Sequence, residues 1–152
     1  MNLIWKKLSN DKVVDLIPYI KECLTKNPES EIFVGCDSQN RKHFTNFGAV
    51  IVLHHQSRGG HVLYAYFEVP RIKDQFTRLF KEVETSLEIA EYLRSQDIPK
   101  IDYLDIDLNP DPQFGSNFVL RTAVGYVESM GYESRVKPYA AAATYAADRV
   151  CK

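Results

Sequence analysis

Ile32-Phe33-Val34-Gly35-Cys36-Asp37 is the stretch on which the fold turns. A short apolar run rich in β-branched residues, bounded by turn signals, has the character of a strand buried on both faces. Asp37 closes it at the carboxyl end. A polar loop from Ser38 to Asn46 follows, and Phe47 to Leu53 resumes the apolar pattern. Ser57-Arg58-Gly59-Gly60 is a turn signal and Val62 to Val69 returns, which predicts an antiparallel hairpin. Pro70 stops that run.

Beyond the hairpin, Asp74 is placed to cap a long helix over 75–95, with Phe76, Leu79, Phe80, Val83, Leu87, Ala90 and Leu93 along one face. Ile98-Pro99 breaks it, and Ile101 to Leu108 reads as the next strand, stopped by Asn109-Pro110-Asp111-Pro112. Ser116 caps a further helix to Met130, with Gly131 in the C′ position. Glu133 to Lys137 is a short last strand, and residues 140–150 form an Ala-rich helix. Upstream of Ile32, Asp11 is placed to cap a helix to about Leu24, kinked or delayed by Pro18. Counted from Ile32, right-handed crossovers give a five-stranded mixed sheet in the order 3-2-1-4-5. The expectation is a single α/β domain over 1–152 with helices on both faces, residues 1–30 forming a helical N-terminal extension. Open α/β sheets bind ligands beyond the carboxyl ends of strands, beside the point where the topology changes. That point is the end of the Ile32–Asp37 strand.

Composition narrows the function classes. The 152 residues, 45% hydrophobic and 26% charged, are those of an ordinary globular domain. No run approaches the roughly 20 apolar residues of a membrane span, and the start lacks a signal-peptide core. Cys23, Cys36 and Cys151 are far apart with no CxxC spacing, so we expect reduced thiols in a cytoplasmic protein with no membrane partner. The net charge of −1 excludes a binder that relies on phosphate neutralisation alone. A nucleic-acid role would need a local basic patch or metal ions bridging to phosphate.

The carboxylates supply such a site. Asp37 and Asp107 lie at the carboxyl ends of strands expected to be neighbours, about 4.8 Å apart. Two such carboxylates repel unless protonated or bridged by a cation. Asp105 shares the face of Asp107, roughly 7 Å back along the strand, and is a further candidate ligand. At 100° per residue, Glu84 lies about 80° from Phe76 and reaches the sheet margin, whereas Glu82 and Glu88 point outward as a solvated face. Asp148 is the lone acid of the Ala-rich helix, near a C-terminus whose dipole it opposes. Arg121 and Lys137 are candidate phosphate contacts at the same mouth. His54-His55 and His61 should cluster at the hairpin tip, but nothing resembles the helical HExxH motif. His43, in the loop after Asp37, reads as a surface residue before a proton carrier, and Ser38 as a turn cap.

Four ordered blocks carry a resemblance. Gly35-Cys36-Asp37-Ser38-Gln39, Glu84-Thr85-Ser86-Leu87, Asp107-Leu108-Asn109-Pro110 and Pro138-Tyr139-Ala140 to Ala147-Asp148-Arg149 resemble the YkuK-type family of predicted ribonuclease H-like nucleases. The resemblance implies a ribonuclease H-like fold with one acid on the first strand, one on the long helix, one on the fourth strand and one on the last helix. Those positions are Asp37, Glu84, Asp107 and Asp148. It implies hydrolysis of phosphodiester bonds in RNA, DNA or a hybrid, with Mg²⁺ or Mn²⁺ held by these acids. A catalytically silent nucleic-acid-binding or partner-binding module of the same fold is the rival expectation.

Overall fold

The computed structural model describes residues 2–56, 59–98, 100–108, 117–137, 139–140 and 146–152. In chain order its elements are β1 (Lys6–Lys7), α1 (Leu16–Lys26), β2 (Glu31–Asn40), β3 (Phe44–His55), β4 (Gly59–Pro70), α2 (Gln75–Ser95), β5 (Tyr103–Ile106), α3 (Asn117–Ser129), β6 (Ser134–Val136) and α4 (Asp148–Cys151). The sheet order is β1-β4-β3-β2-β5-β6. β2 pairs antiparallel with β3 and parallel with β5, so the topology changes at β2.

Five of these strands stand in the expected order, but the sheet has six. The sixth, β1, adds an edge to β4 through Lys6↔Tyr64 and Lys7↔Leu63. Two lysines carry no period-two signal, and lysine is a residue that guards sheet edges. Trp5, beside β1, is buried in the main core and anchors the segment.

The alternation of side chains along β2 and β3 divides the molecule into two layers. On one face Val34, Ala49, Ile51 and Leu104 pack with Ile20 of α1, Leu87 and Ala90 of α2, and Ala123 of α3. On the other face Phe33 and Val50 meet Ala146 and Ala147, which lead into α4. Helices therefore cover both faces. Each fully buried Ile, Leu or Val contributes about 1.5–3 kcal/mol, and most of them lie on the first face.

Several boundaries differ from expectation. α1 starts at Leu16 and not after Asp11, whose φ of 59° is left-handed and whose carboxylate accepts from the Tyr64 hydroxyl at 2.6 Å. Pro18 then falls in the first turn, where its missing N–H had no intrahelical acceptor to lose. Asp74 caps α2 as expected, accepting from the Thr77 N–H at 2.8 Å. β5 is confined to Tyr103–Ile106. The expected turn at 57–58, breakers at 99 and 109–112, cap at 116 and the helical stretch 141–145 lie outside the described residues.

Candidate functional site

The parallel register of β2 and β5 sets the site. Gly35 stands beside Asp105, so two residues further along each strand Asp37 and Asp107 come together on one face. Burial comes first, then the like charges of Asp107 and Asp148, in pushing the Asp37 carboxyl up from 3.8 to about 6. The Ser38 N–H, 2.9 Å from Asp37 Oδ1, pulls the other way and is outweighed.

The acid that α2 contributes is Glu82. It is 4% exposed, and its Oε1 accepts from the Ser38 hydroxyl. Burial, followed by the charge of Asp37, raises the Glu82 carboxyl well above the ordinary range, against the Ser38 hydrogen bond and Arg78. Arg78 Nη1 donates to Ser38 Oγ at 2.8 Å and to the Ser38 carbonyl at 3.2 Å. Ser38 thus orients Glu82 from within β2; it does not cap a turn. Glu82 and Asp107 also line one small cavity of about 10 Å³ with Cys36. Glu84 sits elsewhere. It is exposed and borders an outer recess with Glu88, Glu91 and Tyr126.

From the opposite face, α4 delivers Asp148 and a residue that sequence reasoning missed, Cys151. One ligand atom each of Asp37, Asp148 and Cys151 lies within 4.8 Å of the others. The Cys151 sulfur is 3.8 Å from Asp37 Oδ2, and burial plus the charges of Asp37 and Asp148 push its thiol up to about 12. The i,i+3 spacing of Asp148 and Cys151 was the available signal. Two donors hold the helix end in place: Asn46 Nδ2 reaches the Cys151 carbonyl at 3.3 Å and Arg41 Nη2 the Lys152 carbonyl at 3.0 Å. These satisfy carbonyls that a helix C-terminus leaves without partners.

Gly48 makes this seat possible. It faces Asp37 across the β2–β3 ladder, and a Cβ there would lie 2.8 Å from the Ala147 carbonyl oxygen and the Cys151 nitrogen. Gly48→Ala is therefore expected to push α4 off the sheet. The cost of such overpacking is about 1–3 kcal/mol. A thermal melt should show the loss, and a metal titration should show weaker binding, because Asp148 and Cys151 move with the helix.

The remaining candidates separate by their partners. Asp105 is 2% exposed and is held by Arg135 through Nε at 2.8 Å and Nη2 at 2.9 Å, with the guanidinium over the Phe33 ring at 4.0 Å. This bidentate pair ties β5 to β6 and turns Asp105 toward Arg135. Lys137 Nζ stands 3.2 Å from Asp107 and Lys152 Nζ 2.8 Å from Asp148, so both cations border the carboxylates. Arg121 is exposed on α3, and His43 is exposed in the turn after β2.

The donor set fits a hard divalent cation. Asp37 feels the charges of Asp107 and Asp148, and Glu82 those of Asp37 and Asp107; burial first and these like charges second raise the carboxyls of Asp37 and Glu82. A bound cation would relieve that repulsion.

Comparison with known proteins places the chain. No curated protein sequence matches it. Among solved structures it is similar to ribonuclease H1 from the halophilic archaeon Halobacterium salinarum NRC-1, with 17% identity, a TM-score of 0.46, and coverage of 79% of this chain and 93% of that one. The family described as "Ribonuclease H-like" matches residues 13–152, from just before α1 to the last residue. A match of that extent shows that the chain belongs to the ribonuclease H-like family.

Proposed function

We propose that the protein is a YkuK-type nuclease that hydrolyses phosphodiester bonds of nucleic acid with Mg²⁺ or Mn²⁺ held by Asp37, Glu82, Asp107 and Asp148. The observation that carries this is the meeting of acids from β2, α2, the end of β5 and α4 around Asp37, whose carboxyl is pushed to about 6. When bound, such ions activate water at neutral pH and stabilise charge on the leaving oxygen.

The chain's own groups supply the rest. Asp37 feels Asp107, Asp148 and Glu82 at once, so it would be the central carboxylate holding the metal. Ser38 and Arg78 fix the Glu82 carboxyl toward the cluster. Asp105 and Arg135 keep the end of β5 rigid. Lys137 and Lys152, released from Asp107 and Asp148 once a cation neutralises those acids, are placed to hold substrate phosphates. Lys137 is the better supported of the two expected phosphate contacts, because it already borders Asp107.

The same two ion pairs favour a second reading, a catalytically silent module in which lysines do the work of cations. Labelled RNA, DNA, hybrid and four-way junction substrates, offered with Mg²⁺ and with Mn²⁺ to wild type and Asp107→Asn, separate the two. Cleavage that disappears in the variant is the expected result. Binding without cleavage would establish the silent module instead.

A further inference from the structure

At the far end of the sheet, the β3–β4 hairpin carries two histidines on its α1 face. His55 pairs with Gly59 and Leu53 with His61, so the two rings are diagonal neighbours. Gly48 is the residue opposite Asp37, and seven residues along a strand, from 48 to 55, span about 23 Å. This pair is therefore remote from the carboxylates.

The hydrogen bonds fix the chemistry of His55. The ring is 7% exposed, and its Nδ1 meets the Ser30 hydroxyl. Ser30 Oγ has one hydrogen and donates it to the Asn27 carbonyl at 2.8 Å. Oγ must then accept from His55 Nδ1–H, which leaves the lone pair of the neutral ring on Nε2. That Nε2 is buried and has no hydrogen-bond partner among the described residues. Ser30 lies on the β2 side of the ring, and the two ring nitrogens point to nearly opposite sides. The register of the hairpin sets the His61 ring of β4 beside it.

His61 is arranged in the complementary way. Its Nδ1 is 2.9 Å from the Tyr19 hydroxyl, and its ring is inclined 71° to that of His55 with centroids 5.1 Å apart. Burial, then the neighbouring His55, Lys7 and Lys26, lower its pKa. Two imidazoles on one tetrahedral Zn²⁺, at Zn–N of about 2.0–2.1 Å, have centroids about 5 Å apart. Metal-binding histidines also commonly have the other ring nitrogen anchored by a hydrogen bond. We infer that His55 and His61 form a binding site for a borderline transition-metal ion of the Zn²⁺ type, distinct from the carboxylate cluster. Among the described residues no third His, Cys, Asp or Glu lies with them within reach of a shared ion, so the remaining positions are open to water or an outside ligand.

The test uses tag-free protein carrying Asp37→Asn, titrated with Zn²⁺ by calorimetry and melted. One Zn²⁺ per chain that depends on His61 is expected, with the melting temperature higher by about 5–10 °C at a hundredfold excess over Kd. His61→Gln changes an exposed side chain and should abolish that equivalent, while Tyr19→Phe should weaken it about tenfold or more. Cu²⁺ bound in place of Zn²⁺ should show nitrogen hyperfine coupling from two imidazoles. Absence of binding, or binding indifferent to His61→Gln, overturns the site whatever the nuclease assay gives.

Discussion

Asp37→Asn is expected to make the metal-free protein more stable at pH 7, while removing its response to divalent cations and nearly all of its turnover. The stability gain follows from the raised carboxyl. An Asp whose pKa moves from 3.8 unfolded to about 6 folded holds a proton in the native state that the unfolded chain releases. Its contribution is therefore fully present below about pH 4 and lost as pH rises through about 6. By pH 7 the native carboxylate is a liability of about 1–3 kcal/mol, from a shift of about two units discounted for partial exposure. Asn removes that liability together with the second largest cause of the Glu82 shift.

The melts should show it plainly. Without metal at pH 7, Asp37→Asn should melt about 3–10 °C above wild type, and the gap should close toward pH 4. With Mn²⁺ at a hundredfold excess over Kd, wild type gains about 2.7 kcal/mol, while the curve of the variant stays put. Metal-ion assistance supplies several kcal/mol to phosphoryl chemistry, so turnover in the variant should drop roughly a thousandfold. A variant less stable than wild type at pH 7, by a margin independent of pH, would mean that Asp37 is a structural hydrogen-bond acceptor and no member of a repelling cluster.

The sequence showed one half of this site and concealed the other for physical reasons. Asp37 beside Asp107 followed from a buried run, a hairpin and one crossover, all of which local pattern encodes. β1 was invisible because a two-residue pairing has no period. On α2 the expected stripe was oriented on Phe76, which set Glu84 at the sheet margin and Glu82 on the outer face. In the structure Phe76 stands at the rim, 37% exposed, stacked on Phe80 and against Phe118. The buried arc runs through Leu79, Glu82, Val83, Ser86, Ile89, Ala90 and Leu93, because α2 is packed against both the sheet and α3. Glu82, Ser86, Ile89 and Leu93 follow helical spacing as well as the expected stripe did, and hydropathy alone ranks a glutamate on the wet side. Ser38 and Arg78, brought in from β2 and from the preceding turn of α2, make its burial tolerable. Clustering of histidines at the hairpin tip was legible too, but the tautomer of His55 depends on Ser30, a contact that sequence spacing does not reveal.

The pair Glu82 and Glu84 gives the sharpest contrast, because the four-block resemblance points to one and the geometry to the other. Glu82→Gln keeps the side-chain volume and the oxygen that accepts from Ser38, so the fold should hold. It loses the charge next to Asp37 and Asp107, and turnover should fall roughly a hundredfold or more, as expected when one ligand of a metal cluster is lost. The metal-free protein should become more stable at neutral pH, since a buried carboxyl raised well above its ordinary range is removed. Glu84→Gln changes an exposed side chain beside Glu88 and Glu91, so stability should stay within about 0.5 kcal/mol and turnover within about twofold. Both variants, assayed side by side with Mn²⁺, decide which carboxylate belongs to the cluster. If Glu84→Gln were the inactive one and Glu82→Gln harmless, α2 would have to rotate when metal or substrate binds, breaking the Ser38–Glu82 bond. Replacing Ser38 with Ala would then raise activity, whereas with Glu82 as the ligand the same change should lower it by releasing the carboxyl from its orienting hydroxyl.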